Sequence, residues 1–195
     1  MCGRYFMGDD DKAEELQQII DILNRKPSSN TSALKTSGEV FPSDTVPVIA
    51  NSKTLKPTPF AMEWGYTTSD GNRLINARSE TASEKPTFKD GMAQRRCIIP
   101  ASYYFEWEKK GRAKIKHAIG STAENIIYMA GIYRLEQGTP VFSILTRSPA
   151  PSIEFIHNRM PVILPTSMLR DWLNTKYKAE DILQYACLDV DHRIA

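Results

Sequence analysis

What most narrows the fold of this chain is a succession of short β-prone runs along most of its length, separated by turns that contain Gly, Asn and Pro. The runs fall at residues 46–50, 59–66, 74–77, 97–99, 103–108, 126–135, 141–146 and 162–164. Helical periodicity is scarcer. Residues 9–26 place Ala13, Leu16, Ile19, Ile20 and Leu23 on one stripe, with Asp9, Asp10 and Asp11 as N-cap and dipole-favoured first turn. Residues 83–94 predict a short broken helix, and 166–174 a helix capped by Thr166 with Met168, Leu169, Trp172 and Leu173 as its apolar face. Many strands and few helices predict an α+β fold, a compact barrel-like antiparallel sheet core flanked by a few helices. A length of 195 residues predicts one domain over 1–195, with 27–38 a Ser/Thr-rich surface loop and 175–195 a C-terminal tail or helix.

Charge and cysteines exclude several classes. Twenty-five Lys and Arg against 23 Asp and Glu leave a formal charge of +2, too small for a protein that coats nucleic acid indiscriminately. Cys2, Cys97 and Cys187 are odd in number and show no Cys-x-x-Cys spacing, which argues against a disulfide framework or a thiolate zinc site. A reducing, cytoplasmic location is expected. The first residues lack an apolar signal region, and no stretch has the apolar length of a membrane span, so no membrane association is expected. Without a His-Glu-x-x-His string or an acidic cluster, no metal and no cofactor are expected.

One cysteine stands at position 2. Removal of Met1 would leave a 1,2-aminothiol whose amine, with a reference pKa of about 7.7 to 8, and thiol, near 8.5, are both usable nucleophiles. Such a terminus condenses with an aldehyde to an imine and then closes a thiazolidine ring through sulfur. It also suits amide hydrolysis, with the thiol as nucleophile and its own amine as base. The plain alternative is an inert, buried Cys near the start of a strand.

Other strings place hard polar residues among apolar neighbours. In Cys2-Gly3-Arg4-Tyr5, Gly3 permits close backbone approach and Arg4 brings a permanent cation. In Asn76-Ala77-Arg78-Ser79-Glu80, strand alternation points Asn76 and Arg78 to one face, where they suit a ligand rich in oxygens; an Arg78–Glu80 ion pair is the alternative. Glu106 lies between Phe105 and Trp107, either a desolvated carboxylate suited to proton transfer or the exposed face of an amphipathic strand. His157 and Arg159 precede an apolar strand, and His is the side chain whose ordinary pKa suits proton transfer near neutrality. His117 and His192 are read as structural.

These strings, together with Trp64-Gly65, Arg96-Cys97-Ile98-Ile99-Pro100-Ala101 and the continuation of His157 to Leu164, resemble the SOS response-associated peptidase family in order and spacing, from residue 2 to about 174. The resemblance implies an abasic-site sensor that binds single-stranded DNA, or a single-strand to duplex junction, and crosslinks covalently to the ring-opened abasic sugar; a monomer is expected. It gives both nucleophiles to Cys2, a hydrogen-bonding role at the sugar to Asn76, proton shuttling to Glu106 and sugar-ring opening to His157. It assigns Arg4, Arg78 and Arg159 to the phosphate path, and Pro42 to an apolar wedge beside the site. Where the family continues Trp-Gly-Leu with a Pro and a second Trp, this chain has Trp64-Gly65-Tyr66 and a short TTSDGN loop; Trp64 and Tyr66 are then the aromatics expected to contact flanking bases. The alternative reading is a thiol-dependent peptidase using Cys2, including self-removal of Met1.

Overall fold

In the computed structural model, which describes residues 2–8, 14–24 and 34–195, a ring of strands closes on itself. In chain order the elements are β1 (Tyr5–Met7), α1 (Glu14–Asn24), β2 (Gly38–Val40), β3 (Thr45–Asn51), β4 (Pro57–Trp64), β5 (Tyr66–Thr67), β6 (Arg73–Leu74), β7 (Asn76–Arg78), α2 (Lys89–Gln94), β8 (Arg96–Ala101), β9 (Tyr103–Lys110), β10 (Ala113–Ser121), β11 (Ile127–Glu136), β12 (Thr139–Arg147), β13 (Met160–Pro161), β14 (Ile163–Leu164), α3 (Leu169–Leu173), α4 (Ala179–Leu183) and β15 (Val190–Ile194). The ring runs β12, β4, β3, β8, β11 and back to β12. Closure leaves these strands no open edge and lets alternate side chains fill the interior. Every residue of β8 is buried, because α3 covers its outside: Trp172, fully buried, donates its indole N–H to the Cys97 carbonyl at 2.9 Å. Inside the ring, a Cβ on Gly131 would lie 2.4 Å from Ile99 Cδ1, so any side chain there would force Ile99 to move.

The closing seam is parallel, with Val141 opposite Glu63 and Phe142 opposite Trp64. The run read at 59–66 is broken at Gly65, whose φ of +113° disfavours any side chain and whose Cβ would also press on Arg73 and Ile75. The chain leaves the barrel there as the β5–β6 hairpin and returns as β7, which continues the parallel ladder on β12 from Ile144 to Thr146. The second sheet, β15-β10-β9-β1-β2, is antiparallel throughout.

Several expectations change. The region 175–195 is not merely a tail: it forms α4 and β15, and β15 pairs with β10, bringing His192 Nδ1 to 3.1 Å from His117 Nδ1. Thr166 caps no helix; its hydroxyl donates to Glu124 at 2.8 Å, and a short 3-10 turn (Thr166–Met168) precedes α3. The broken helix of 83–94 narrows to α2. Helix α1 buries Ile20 and Leu23 as its stripe requires, whereas the Asp9 to Asp11 cap and residues 27–33 of the expected loop lie outside the described residues.

Candidate functional site

Strand β1 positions the site. Tyr5 pairs with both Val40 and Tyr104, and the Phe105 N–H donates to the Arg4 carbonyl at 2.9 Å, so the segment Cys2 to Arg4 runs beside Phe105 to Trp107. The barrel supplies the opposite wall. Asn76, the first residue of β7, donates from Nδ2 to the Cys2 carbonyl at 2.8 Å, while its Oδ1 is buried with no hydrogen-bond partner among the described residues. A buried acceptor held in this way is poised to receive a donor. Cys2 itself is fully buried, and its Sγ lies 3.9 Å from the Arg4 carbonyl. Burial, and secondarily the nearby Glu106 carboxylate, push the Cys2 thiol far above its ordinary pKa. Glu106 is 4% exposed, so of the two readings of its strand the desolvated one holds.

Two tyrosines complete the buried wall. Tyr5 and Tyr104 are fully buried with hydroxyls that find no partner among the described residues. Burial first, then the charge of Cys2, raises both ionisations, and Glu106 adds to that of Tyr104. Neither tyrosine was singled out in the sequence; the alternation Tyr104, Glu106 was the available signal.

The cations divide into held and exposed. Arg4 lies 4.4 Å from the centroid of the Phe41 ring and 5.1 Å from that of Trp107, and its Nη1 meets Glu39 at 3.3 Å. Arg78 is exposed at the end of β7. The Arg78–Glu80 ion pair is replaced by another: Arg159 grips Glu80 through both guanidinium arms at 2.7 and 2.8 Å and donates to the Thr146 carbonyl at 2.6 Å. This pairing holds the Glu80 carboxyl below its ordinary pKa. Arg159, with 14% of its side chain exposed, is held within the protein as a bolt, a placement the sequence did not foresee. Because Thr146 pairs with Arg78 in the β12–β7 ladder, the bolt brings the His157 segment beside the end of β7. His157 Nδ1 accepts the Arg159 backbone N–H at 3.0 Å, so the neutral ring carries its proton on Nε2.

Both aromatics expected at the bases are also corrected. Trp64 is 0% exposed, donates to the Ile75 carbonyl at 3.0 Å and stacks on Phe142; Tyr66 is 1% exposed, packed by Phe88 and Arg134. Neither presents a ring to a base. The aromatics that do reach the surface here are Phe41 and Trp107. Phe41, exposed, precedes Pro42 in a turn where the Asp44 carboxylate accepts the Phe41 N–H at 2.9 Å, and Pro42 is half-buried. The TTSDGN loop is a closed hairpin, with Thr68 and Asn72 hydrogen-bonded to Asp70. No group of three or more His, Cys, Asp or Glu that could hold a metal occurs among the described residues.

The chain matches the SOS response associated peptidase family over residues 1–193. The abasic site processing protein YoqW of Bacillus subtilis (strain 168) is 33% identical across 94% of this chain and 85% of its own length. The abasic site processing protein YedK of Escherichia coli (strain K12) is 32% identical across 63% of this chain and 58% of its own. A crystal structure of a protein from Bacteroides thetaiotaomicron shares the fold at a TM-score of 0.78 and 24% identity, covering 99% of this chain and 91% of that one.

Proposed function

The chain belongs to the SOS response associated peptidase family, and from that premise we propose that it processes abasic sites in single-stranded DNA, forming a covalent thiazolidine with the ring-opened sugar through Cys2 after removal of Met1. The observation that carries this reading is the convergence of Cys2, Asn76 and Glu106: an amide that already holds the Cys2 backbone, and a buried carboxylate electrically coupled to its thiol.

The chemistry follows from those positions. The α-amine of Cys2 adds to the C1′ aldehyde, and loss of water gives an imine. The S–H then adds across the C=N bond: sulfur bonds to carbon and the proton ends on nitrogen, with water as the sole by-product. A thiol with a raised pKa stores little thiolate, so its proton must leave as the S–C bond forms. Glu106 takes that proton and returns it to nitrogen. Asn76 Oδ1 accepts from a hydroxyl or ring N–H of the adduct. The Nε2–H of His157 donates a hydrogen bond to the sugar ring oxygen and so polarises the bond that breaks on opening. Arg4 and Arg78 line the phosphate path, and Phe41 with Pro42 forms the wedge beside it.

The test uses Met-processed protein, verified by intact mass, and a single-stranded oligonucleotide carrying one abasic site. A band that survives denaturing electrophoresis, with the mass of protein plus DNA less one water, is expected. Absence of the band, or an equal band from Cys2→Ala, refutes the proposal.

A further inference from the structure

The outer face of the five-stranded sheet differs from the inner one. Register puts Phe105, Trp107 and Lys109 of β9 on it, opposite Ala118, Lys116 and Lys114 of β10. Near the site the cations are ordered by aromatic rings: Lys116 Nζ lies 3.7 Å from the Phe105 centroid, and Arg4 lies over Trp107. Glu39 meets both of these cations, and its carboxyl is held below the ordinary carboxylate range, first by its hydrogen bond from Lys116. Farther out the compensation ends. Lys109 and Lys114, both exposed, stand directly opposite one another, and Lys110 and Arg112 flank Gly111 at the turn. Like charges directly opposed across two strands disfavour the pairing, and among the described residues no ion pair reaches Lys109 or Lys114. A polyanion lying between them would remove the repulsion.

The track begins at the edge of the site: Arg4, two residues from Cys2, lies over Trp107 on the outer face, while Glu106, next to Trp107 in the chain, faces inward. Lys109 lies about 10 Å along the strand from Glu106, at the ~3.3 Å rise of a strand residue. We propose that the β9–β10 hairpin is a backbone-binding arm: one flank of the bound single strand leaves the site past Trp107, and its phosphates pass between Lys109 and Lys114. This rests on the abasic-site reading and adds to it where one flank runs. Ordered cations near the site and paired free cations beyond it suit a phosphate backbone rather than a base-reading contact.

The double variant Lys109→Ala/Lys114→Ala changes only exposed side chains. Fluorescence anisotropy with a single-stranded oligonucleotide across a salt series should give a log–log slope flatter than wild type by about 1.4, two single-strand phosphates at ~0.7 each. Crosslink yield at saturating DNA should be unchanged. Shortening the oligonucleotide on one side of the lesion should bring wild type to the variant's slope, and shortening the other side should leave the difference intact. An unchanged slope in the variant, or a difference that survives shortening on either side, overturns the arm while wild-type crosslinking stands. A wild type that neither binds nor crosslinks removes the abasic-site reading, and the arm with it.

Discussion

The barrel ring and the five-stranded sheet use the same backbone pairing to opposite ends. Barrel strands such as β8 are buried on both faces, and their interior is filled by Ile99, Phe142 and Ile144, with Gly131 where even a methyl group would collide. The sheet turns inward a row that includes Tyr5, Tyr104, Glu106 and His117, all buried and all polar at the tip. In the sheet, the Tyr5 and Tyr104 hydroxyls find no hydrogen-bond partner among the described residues, a cost of about 1–3 kcal/mol for each buried polar group. The difference teaches where buried polar groups are tolerated: on a sheet anchored by a closed neighbour that reaches into it through Asn76.

Substitutions that separate the two regions should separate stability from chemistry. Trp64→Ala empties a fully buried site tilted against Tyr5 and stacked on Phe142, and a loss of about 3–5 kcal/mol is expected, read as a lower urea midpoint. Protein that remains folded should still crosslink; a selective loss of crosslinking would instead restore Trp64 to the site. Glu106→Gln keeps the shape and removes the base. Single-turnover crosslinking should fall about a hundred-fold or more, close to 3 kcal/mol of barrier, with little change in midpoint. An unaltered rate would take Glu106 out of proton transfer.

Much of this contrast was legible in the sequence, and the illegible part has physical causes. The 97–99 run is the centre of β8, and the alternation around Glu106 carried both of its readings until burial decided between them. Trp64 was misread for want of the same test: it shares strand parity with buried Met62, which already pointed it inward. What no local pattern announces is pairing across long separations. The seam that joins β4 to β12, the hydrogen bond from Asn76 to Cys2 and the grip of Arg159 on Glu80 each link residues about seventy or more positions apart. Thr166 looked like a cap because Thr favours that place, but Glu124 offered its hydroxyl a charged acceptor.

High pH should weaken both regions, and single substitutions divide the effect. Burial raises the ionisation of Cys97 and Tyr66 on the barrel side and, with the added charge of their neighbours, of Cys2, Tyr5 and Tyr104 in the sheet. Each folded pKa lies above its unfolded value, so the unfolded chain releases these protons first. The contribution is complete below about pH 8.5 for the thiols and about 10 for the tyrosines, and is lost as pH rises beyond. Each thiol then costs about 1.4 kcal/mol per pH unit. Thermal midpoints from pH 8 to 10 should fall steeply in wild type and less so in Cys97→Ala, the barrel's share, or Cys2→Ala, the sheet's. Parallel curves for all three would show that neither thiol is held neutral by the fold.

The smallest expected effect concerns the place where the two regions meet. Arg78 ends β7, exposed, while Arg159 two strands away has spent its charge on Glu80. If exposure rather than residue type decides which arginine serves DNA, Arg78→Ala should flatten the salt slope of single-strand binding by about 0.7, one phosphate, and leave stability unchanged. Arg159→Ala should do the reverse: it frees Glu80 and the Thr146 carbonyl, loosens the His157 segment and lowers the thermal midpoint, with the salt slope kept. Equal slope changes in the two variants would mean that the Glu80 pair opens to admit the strand, and that the boundary between held barrel and reactive sheet is itself part of the binding surface.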